Sequence, residues 1–595
     1  MPHAIAKHLA VIAAVICLSS FSATAQQPNI VLLIGDDVGY SDLGAYGGEI
    51  DTPHLDALAE AGTRFANYHS TASCSPTRSI LMTGVDHHRN GLGNMVIVAP
   101  EEHIGQPGYE GMLNDKVATL AEMLQANGYH TYHLGKWHLG NAPDKRPYNR
   151  GFERTITLGD TGADNWEQRS YLPNYDKAHW YADGVEHQLP DDFYSSKYFV
   201  DKAIEFIGDQ HADGRPFFAS IGFQAVHIPL QAPAEFTEKY HQRYQDGWGP
   251  IRQQRRDRAA ELGLILRNTP FREMATTKSW DALSADEQAY KARIMAVYAG
   301  MLDAMDHHIG RLVTYLKSIG QYENTVFIFL SDNGAEPSDP LANPSMARWV
   351  NWHYSTAIED LGKRGSYAAL GPSWASAAAS PGAFYKFWAG EGGVRVPLII
   401  SWPHGAKTGA IEAGSIEQSF AHVKDIMPTI LALTNTADHG GNFNGKVVEP
   451  ITGSSLLPVL NGQADLTHAP DKAIGYELAG NAALYKGDLK LLRNLPPIGD
   501  GEWHLYNIAN DPGETNDLRD TLPQQFAEMQ ADYAAYEKAN GVLPMPAGYN
   551  YIEQVEKKAR QMFIARWWPK LLAIATPTLL LLVIAIALLK RRKSH

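Results

Sequence analysis

Two short apolar runs, each ending in oxygen-bearing side chains, constrain this chain more than any other feature. Asn29-Ile30-Val31-Leu32-Leu33-Ile34 is uninterrupted and aliphatic, as expected of a strand covered on both faces, and it leads into Gly35-Asp36-Asp37. Thr325-Val326-Phe327-Ile328-Phe329-Leu330 repeats the pattern and leads into Ser331-Asp332-Asn333-Gly334. Parallel α/β sheets gather their ligands at the carboxyl ends of their strands. Two such strands in one sheet therefore bring Asp36, Asp37, Asp332 and Asn333 to one place. Adjacent carboxylates repel and need a cation, and an all-oxygen set suits calcium or magnesium and not zinc. A bare Asp-Asp pair fits a solvated strand-end turn better; the second run shifts the balance to a metal site.

The 595 residues fit one large α/β core with an appended subdomain. An apolar content of 44% excludes a disordered chain. The net charge of -14 argues against a general nucleic-acid binder. It also means that an anionic substrate has to be drawn in by a local cluster of cations.

Both ends carry targeting signals. Residues 1–25 read as a secretory signal, with His3 and Lys7, an apolar run from Leu9 to Cys17, and Ala23-Thr24-Ala25 before Gln26. An uncleaved N-terminal anchor is the alternative. Cleavage would discard Cys17 and leave Cys74 alone, so no intrachain disulfide can form. A lone thiol in an oxidising compartment is a liability and wants a reason. Leu571 to Leu589 is free of charge and long enough to span a bilayer, with Trp567-Trp568 before it and Lys590-Arg591-Arg592-Lys593 after it. The expectation is an exported protein anchored in the inner cell membrane by this C-terminal transmembrane helix, its bulk on the periplasmic or extracellular side. A buried core helix is the alternative.

Cys74-Ser75-Pro76-Thr77-Arg78, followed by Thr83-Gly84, reads as a helix with proline in its first turn and glycine at its end. Cys74 then sits at the N-terminus, where free N–H groups and the dipole favour a negative charge, and Arg78 lies one turn on. A plain junction with a buried thiol is the alternative. In Leu134-Gly135-Lys136-Trp137-His138-Leu139-Gly140, Lys136 and His138 are two apart, so on an extended segment both face one anion. Arg252, Arg255, Arg256 and Arg258 read as a solvated helix face, and Asp86-His87-His88 and His307-His308 as ordinary surface groups.

Cys-x-Pro-x-Arg with Thr83-Gly84 resembles the signature of the type I, formylglycine-dependent sulfatases of the alkaline-phosphatase superfamily. Gly135-Lys136-Trp137-His138-Leu139-Gly140 is similar to another element of that family, and both Asp-bearing strands match its metal segments. His227, before Pro229, resembles the second histidine, and Lys386 the late lysine ahead of Gly392-Gly393-Val394-Arg395-Val396-Pro397. The stretch from Tyr367 to Trp388, with Gly371-Pro372-Ser373-Trp374-Ala375, looks most like bacterial arylsulfatases.

The resemblance implies an α/β fold with a large, mainly parallel sheet sandwiched by helices, over residues 26–466. A small antiparallel subdomain is expected at 467–545, a linker at 546–570, the membrane helix at 571–589 and a cytoplasmic basic tail at 590–595. It implies hydrolysis of small sulfate esters, aryl and also alkyl, in which Cys74, converted to formylglycine by a modifying enzyme, provides the attacking hydroxyl of its hydrate. Asp36, Asp37, residue 74, Asp332 and Asn333 would hold one divalent cation, calcium first and magnesium second. Arg78, Lys136 and Lys386 would hold the sulfate, Lys136 or His227 would protonate the leaving oxygen, and His138 would assist collapse of the sulfated intermediate. A phosphodiester or phosphonate hydrolase of the same superfamily, and an anchored non-catalytic binder of sulfated ligands, are the other readings.

Overall fold

The structure is a computed structural model and describes residues 27–562, 564–566 and 568. Its main element is a ten-stranded sheet. Thr325–Ser331, Asn29–Gly35, Phe217–Gly222, His130–Lys136 and Arg154–Leu158 lie side by side in that order, each parallel to its neighbour. Consecutive residues of the first run point to opposite layers. Ile30, Leu32 and Ile34 pack with Ile80, Leu81 and Met82 of the helix Cys74–Thr83, while Val31 and Leu33 pack with the long helix Ala285–Ser318 and with Ser195–Gln210. Helices on both faces explain why the strand is apolar at every position rather than at alternate ones.

Outside this parallel centre the sheet is mixed. Leu398–Ser401 runs antiparallel to both Thr325–Ser331 and Gly62–Phe65, and Trp180–Ala182 runs antiparallel to Arg154–Leu158. The expected mainly parallel sheet is therefore corrected to a large mixed one. An antiparallel neighbour needs no fixed crossover, so strands returning from distant parts of the chain can fill these flanks. A separate four-stranded antiparallel sheet follows, Ile474–Leu478, Asn481–Lys486, Leu489–Arg493 and His504–Asn507, covered by the helix Pro523–Asn540.

Among the described residues no helix is long and apolar enough to cross a membrane. Crossing takes about 20 mainly apolar residues. The longest helix, Ala285–Ser318, carries charges along its length and is buried against the sheet. The transmembrane helix in the expected fold, the membrane as a partner and the membrane-anchored location are corrected accordingly. The stretches 571–589 and 590–595 on which they rested, and the leader 1–25, lie outside the described residues.

Two polar groupings also depart from expectation. Arg255 is fully buried and clamps Asp42 and Glu49 at 2.5 and 2.7 Å, and Arg252, one turn earlier, is buried too. The helix Trp248–Glu261 thus turns arginines inward, because carboxylates more than 200 positions away in sequence meet them. His87 and His88 are likewise buried rather than at the surface, His88 standing 2.9 Å from both Asp86 and Glu477.

Candidate active site

The register of the parallel centre sets the site. Gly35 pairs with Ser331, so Asp36 and Asp332 leave neighbouring strands at the same level. Gly222 pairs with both Ile34 and Gly135, which brings Lys136 and the loop carrying His227 to the same edge. Four adjacent strands thus deliver their C-terminal residues to one point. The helix Cys74–Thr83 points its first residue there. Ser73 before it is extended, and Gly84 after it closes the helix in the left-handed conformation, φ 65°.

Cys74 Sγ is 3.6 Å from Asp36 Oδ1 and 3.9 Å from Asp37 Oδ1. Arg78 donates from Nε to Asp332 Oδ2 at 2.8 Å and from Nη1 to the Lys136 carbonyl at 2.8 Å, and its Nη2 lies 3.8 Å from Asp36. Lys136 Nζ spans both oxygens of Asp36 at 2.8 and 2.7 Å. Lys386 Nζ spans both oxygens of Asp37 at 2.7 and 2.9 Å. His227 Nδ1 meets the Ile228 carbonyl at 2.7 Å, which leaves Nε2 facing Asp37 at 3.9 Å. His138, at φ 59°, has a buried Nδ1 without a hydrogen-bond partner.

The charges are packed tightly enough to pull titrations apart. Burial pushes Asp36 up to about 7, with Lys136 opposing it and Asp332 and Asp37 adding to it. Burial would raise Asp37 as well, but Lys386 and His227 hold it at about 2. Burial first, and then the cations Lys136 and Arg78, press His138 well below the usual histidine range; burial and Lys136 do the same to His227. Both rings are therefore neutral around pH 7. Burial, with Asp332, pushes the Cys74 thiol well up, so as a free thiol it stays protonated and is a weak nucleophile.

The oxygen cluster fits a divalent cation. Ligand atoms of Asp36, Asp37, Cys74 and Asp332 all lie within 4.8 Å of one another. Asn333 donates its Nδ2 to Asp37 Oδ1 at 2.6 Å, while its Oδ1 is buried and unpartnered. Three carboxylates and an orphaned amide oxygen around one point form a hard-cation donor set.

All residues singled out in the sequence converge here: Asp36, Asp37, Cys74, Arg78, Lys136, His138, His227, Asp332, Asn333 and Lys386. One further residue joins them. Glu336 Oε2 is 2.8 Å from Lys386 Nζ, so that ammonium is held between two carboxylates. Its position, four residues after Asp332, was the only signal available.

The family profile described as Sulfatase matches residues 28–436. An uncharacterized sulfatase of Schizosaccharomyces pombe is 38% identical over 543 residues, covering 88% of this chain and 96% of the relative. An arylsulfatase of Klebsiella aerogenes is 35% identical over 453 residues, covering 76% of this chain and 96% of the relative. Among solved structures, Ps i-CgsB in complex with a neocarrahexaose aligns with a TM-score of 0.61 at 23% identity, covering 91% of this chain and 99% of that one. A phosphonate monoester hydrolase of Agrobacterium radiobacter shares the fold at a TM-score of 0.51 and 18% identity, covering 86% of this chain and 96% of that one. With the matched profile spanning most of the chain and the relatives covered almost end to end, the chain belongs to the sulfatase family and is a sulfuric ester hydrolase.

Proposed function

We propose that the protein is an arylsulfatase-type enzyme that works with an aldehyde formed from Cys74 and one divalent cation, calcium before magnesium. The observation that carries this is the meeting of the Cys74 side chain with three carboxylates, Asn333, Arg78 and two lysines at a single helix N-terminus. Asp36, Asp37, Asp332 and Asn333 would hold the cation, which supplies positive charge against the sulfate oxygens and lowers the pKa of a neighbouring hydroxyl. The hydrated aldehyde would supply a hydroxyl nucleophile with a second hydroxyl beside it, an internal exit that a simple ester of cysteine lacks.

The remaining residues do the binding and proton work. Lys136 and Lys386 carry their ammonium groups on either side of the cluster, so a tetrahedral anion entering between them exchanges carboxylate partners for its own oxygens. Arg78 is fixed by Asp332 and the Lys136 carbonyl, which aims Nη2 at the same space. His227 is neutral with its one ring proton given to the Ile228 carbonyl, so its inward nitrogen can only accept, and Lys136 is the group placed to hand a proton to the departing oxygen. His138, its Nδ1 buried and without a hydrogen-bond partner, is left to assist collapse of the sulfated intermediate.

Two measurements test this together. The mass of the peptide carrying residue 74, from protein made with the modifying enzyme, should show the aldehyde in place of the thiol. The same protein should release sulfate from p-nitrophenyl sulfate faster than phosphate from the matched phosphate or phosphonate ester. An intact thiol in active protein would sink the aldehyde, and a preference for the phosphorus esters would move the chain to the phosphonate-hydrolase reading.

A further inference from the structure

We propose that the segment from residue 543 through the helix at 551–562 is a gate over the active site, which sets the size of ester that reaches residue 74. The effect on substrates rests on the sulfatase reading above; the gate itself rests on geometry alone.

The reacting groups present almost no surface to water. Cys74, Asp36 and Asp37 are 0% exposed, Lys386 is 2% and His227 4%. An ester is larger than a water molecule, so what covers these groups has to move before one enters. Three loops form the cover, and each touches the site. Met95 accepts from the hydroxyl of Ser73, next to Cys74. Glu336 holds Lys386, and the Tyr171 ring stands 5.4 Å from the His227 ring.

The segment is fastened to the first two of these loops, and Arg566 just after it to the third. Tyr549 and Gln554 donate to the carbonyls of Val98 and Ala99, both at 2.7 Å, and Lys558 Nζ lies 2.9 Å from Glu101. Asn343, beyond Glu336, donates to Glu556 at 3.1 Å, and Arg566 donates to the Pro173 carbonyl at 3.0 Å. Beneath this bridge the Tyr551 ring packs 5.0 Å from Phe387 and 5.8 Å from Trp388, the residues directly after Lys386.

The bridge is built to lift. Its tie to Asn343 lies at the surface, and its ion pair reaches out to the half-exposed Glu101. Residues 542–546 between it and the helix Pro523–Asn540 have no regular structure, and Gly541 and Gly548 take left-handed φ values of 72° and 73°. A segment whose flanks are flexible can open without unfolding the core beneath it. Tyr551, Phe387 and Trp388 then offer an aromatic wall to the alcohol half of a compact ester, and a sulfated polymer is excluded while the bridge is down.

The test reads access to residue 74 without relying on activity. Full-length protein made without the modifying enzyme keeps the Cys74 thiol, and its alkylation by iodoacetamide and by a bulky pyrene maleimide is followed on the residue-74 peptide. Tyr551→Ala, and separately the combination Tyr549→Phe, Gln554→Ala and Lys558→Glu, should speed the maleimide by about tenfold or more and iodoacetamide by less than about threefold. Adding Glu101→Lys to the combined variant should slow the maleimide again. Wild-type rates in both variants with both reagents, their near-UV circular dichroism being native, would overturn the gate. In aldehyde-bearing enzyme, the kcat/KM ratio of a sulfated oligosaccharide to p-nitrophenyl sulfate should rise in the same variants. Wild-type enzyme inert to every sulfate ester would overturn the sulfatase reading, and the alkylation rates would still decide the gate.

Discussion

The Lys386 ammonium spans both carboxylate oxygens of Asp37, at 2.7 and 2.9 Å, with Glu336 at 2.8 Å on its other side. A cation so held has its position fixed before any substrate arrives, which is what makes charge stabilisation effective. Lys386→Ala should lower kcat/KM for an aryl sulfate by about 100-fold or more, since preorganised donors of this kind contribute that much. Glu336→Gln should cost less, about tenfold, because Asp37 still anchors the lysine. Steady-state kinetics on both variants checks the order; a larger loss at Glu336 than at Lys386 would reverse the assigned roles.

Removing the divalent cation should lower stability as well as activity. Asp36, Asp37 and Asp332 are all fully buried and share one cluster, so without a cation their repulsion is left to Lys136, Lys386, Arg78 and lesser partners to offset. Chelator-treated protein should unfold at a lower temperature and recover on adding calcium. A ligand at 100 times its dissociation constant stabilises by about 2.7 kcal/mol. Asn333→Leu, which removes the orphaned oxygen, should blunt that recovery. A calorimetric midpoint unmoved by chelator and by calcium would argue against a bound ion.

Local signals made the centre of this site legible. Asp36, Asp37, Asp332 and Asn333 each follow an apolar strand directly, so strand register alone brings them together. Cys74 and Arg78 lie one turn apart on a single helix. Glu336 escaped because its contact with Lys386 is made by loops 50 residues apart, and neither periodicity nor spacing encodes such a meeting. Arg255 escaped for the same reason: a basic run reads as solvated unless Asp42 and Glu49 are known to arrive beside it. The antiparallel flanks of the sheet depend on which short strands return to which edge, a tertiary choice that a strand's own residues do not carry.

His88 should make stability fall in alkaline solution. Burial alone would lower its pKa, but hydrogen bonds to Asp86 and Glu477 raise it to about 9. A histidine whose folded pKa lies above its unfolded value of about 6.5 contributes fully below that value and loses its contribution as pH rises through about 9. The pair with Glu477 ties the Asp86 turn to the Ile474–Leu478 strand of the small sheet, so the loss should loosen that junction. Denaturation midpoints at pH 6.5 and 9.5 should differ markedly in the wild type and much less in His88→Gln. Equal pH slopes in the two proteins would exclude this histidine as the source.

Lys490 is the residue whose loss should cost the small sheet most. Its ammonium is fully buried, 2.9 Å from Glu391 and 2.7 Å from Glu514, and Glu391 in turn lies 3.0 Å from His69. Glu391 opens the turn five residues after Lys386, so this network joins the antiparallel sheet to the loop that carries the site lysine. Lys490→Met keeps the volume but leaves two carboxylates buried without their shared cation, a change that costs about 3 to 5 kcal/mol when one partner of a buried pair is removed. Replacing all three charges, with Glu391→Gln and Glu514→Gln added, should recover part of that, because the uncompensated charge and not the missing attraction dominates the loss. Urea midpoints of the single and triple variants decide the point: a triple variant less stable than the single one would show that the pairing itself, rather than the stranded charge, holds the junction together.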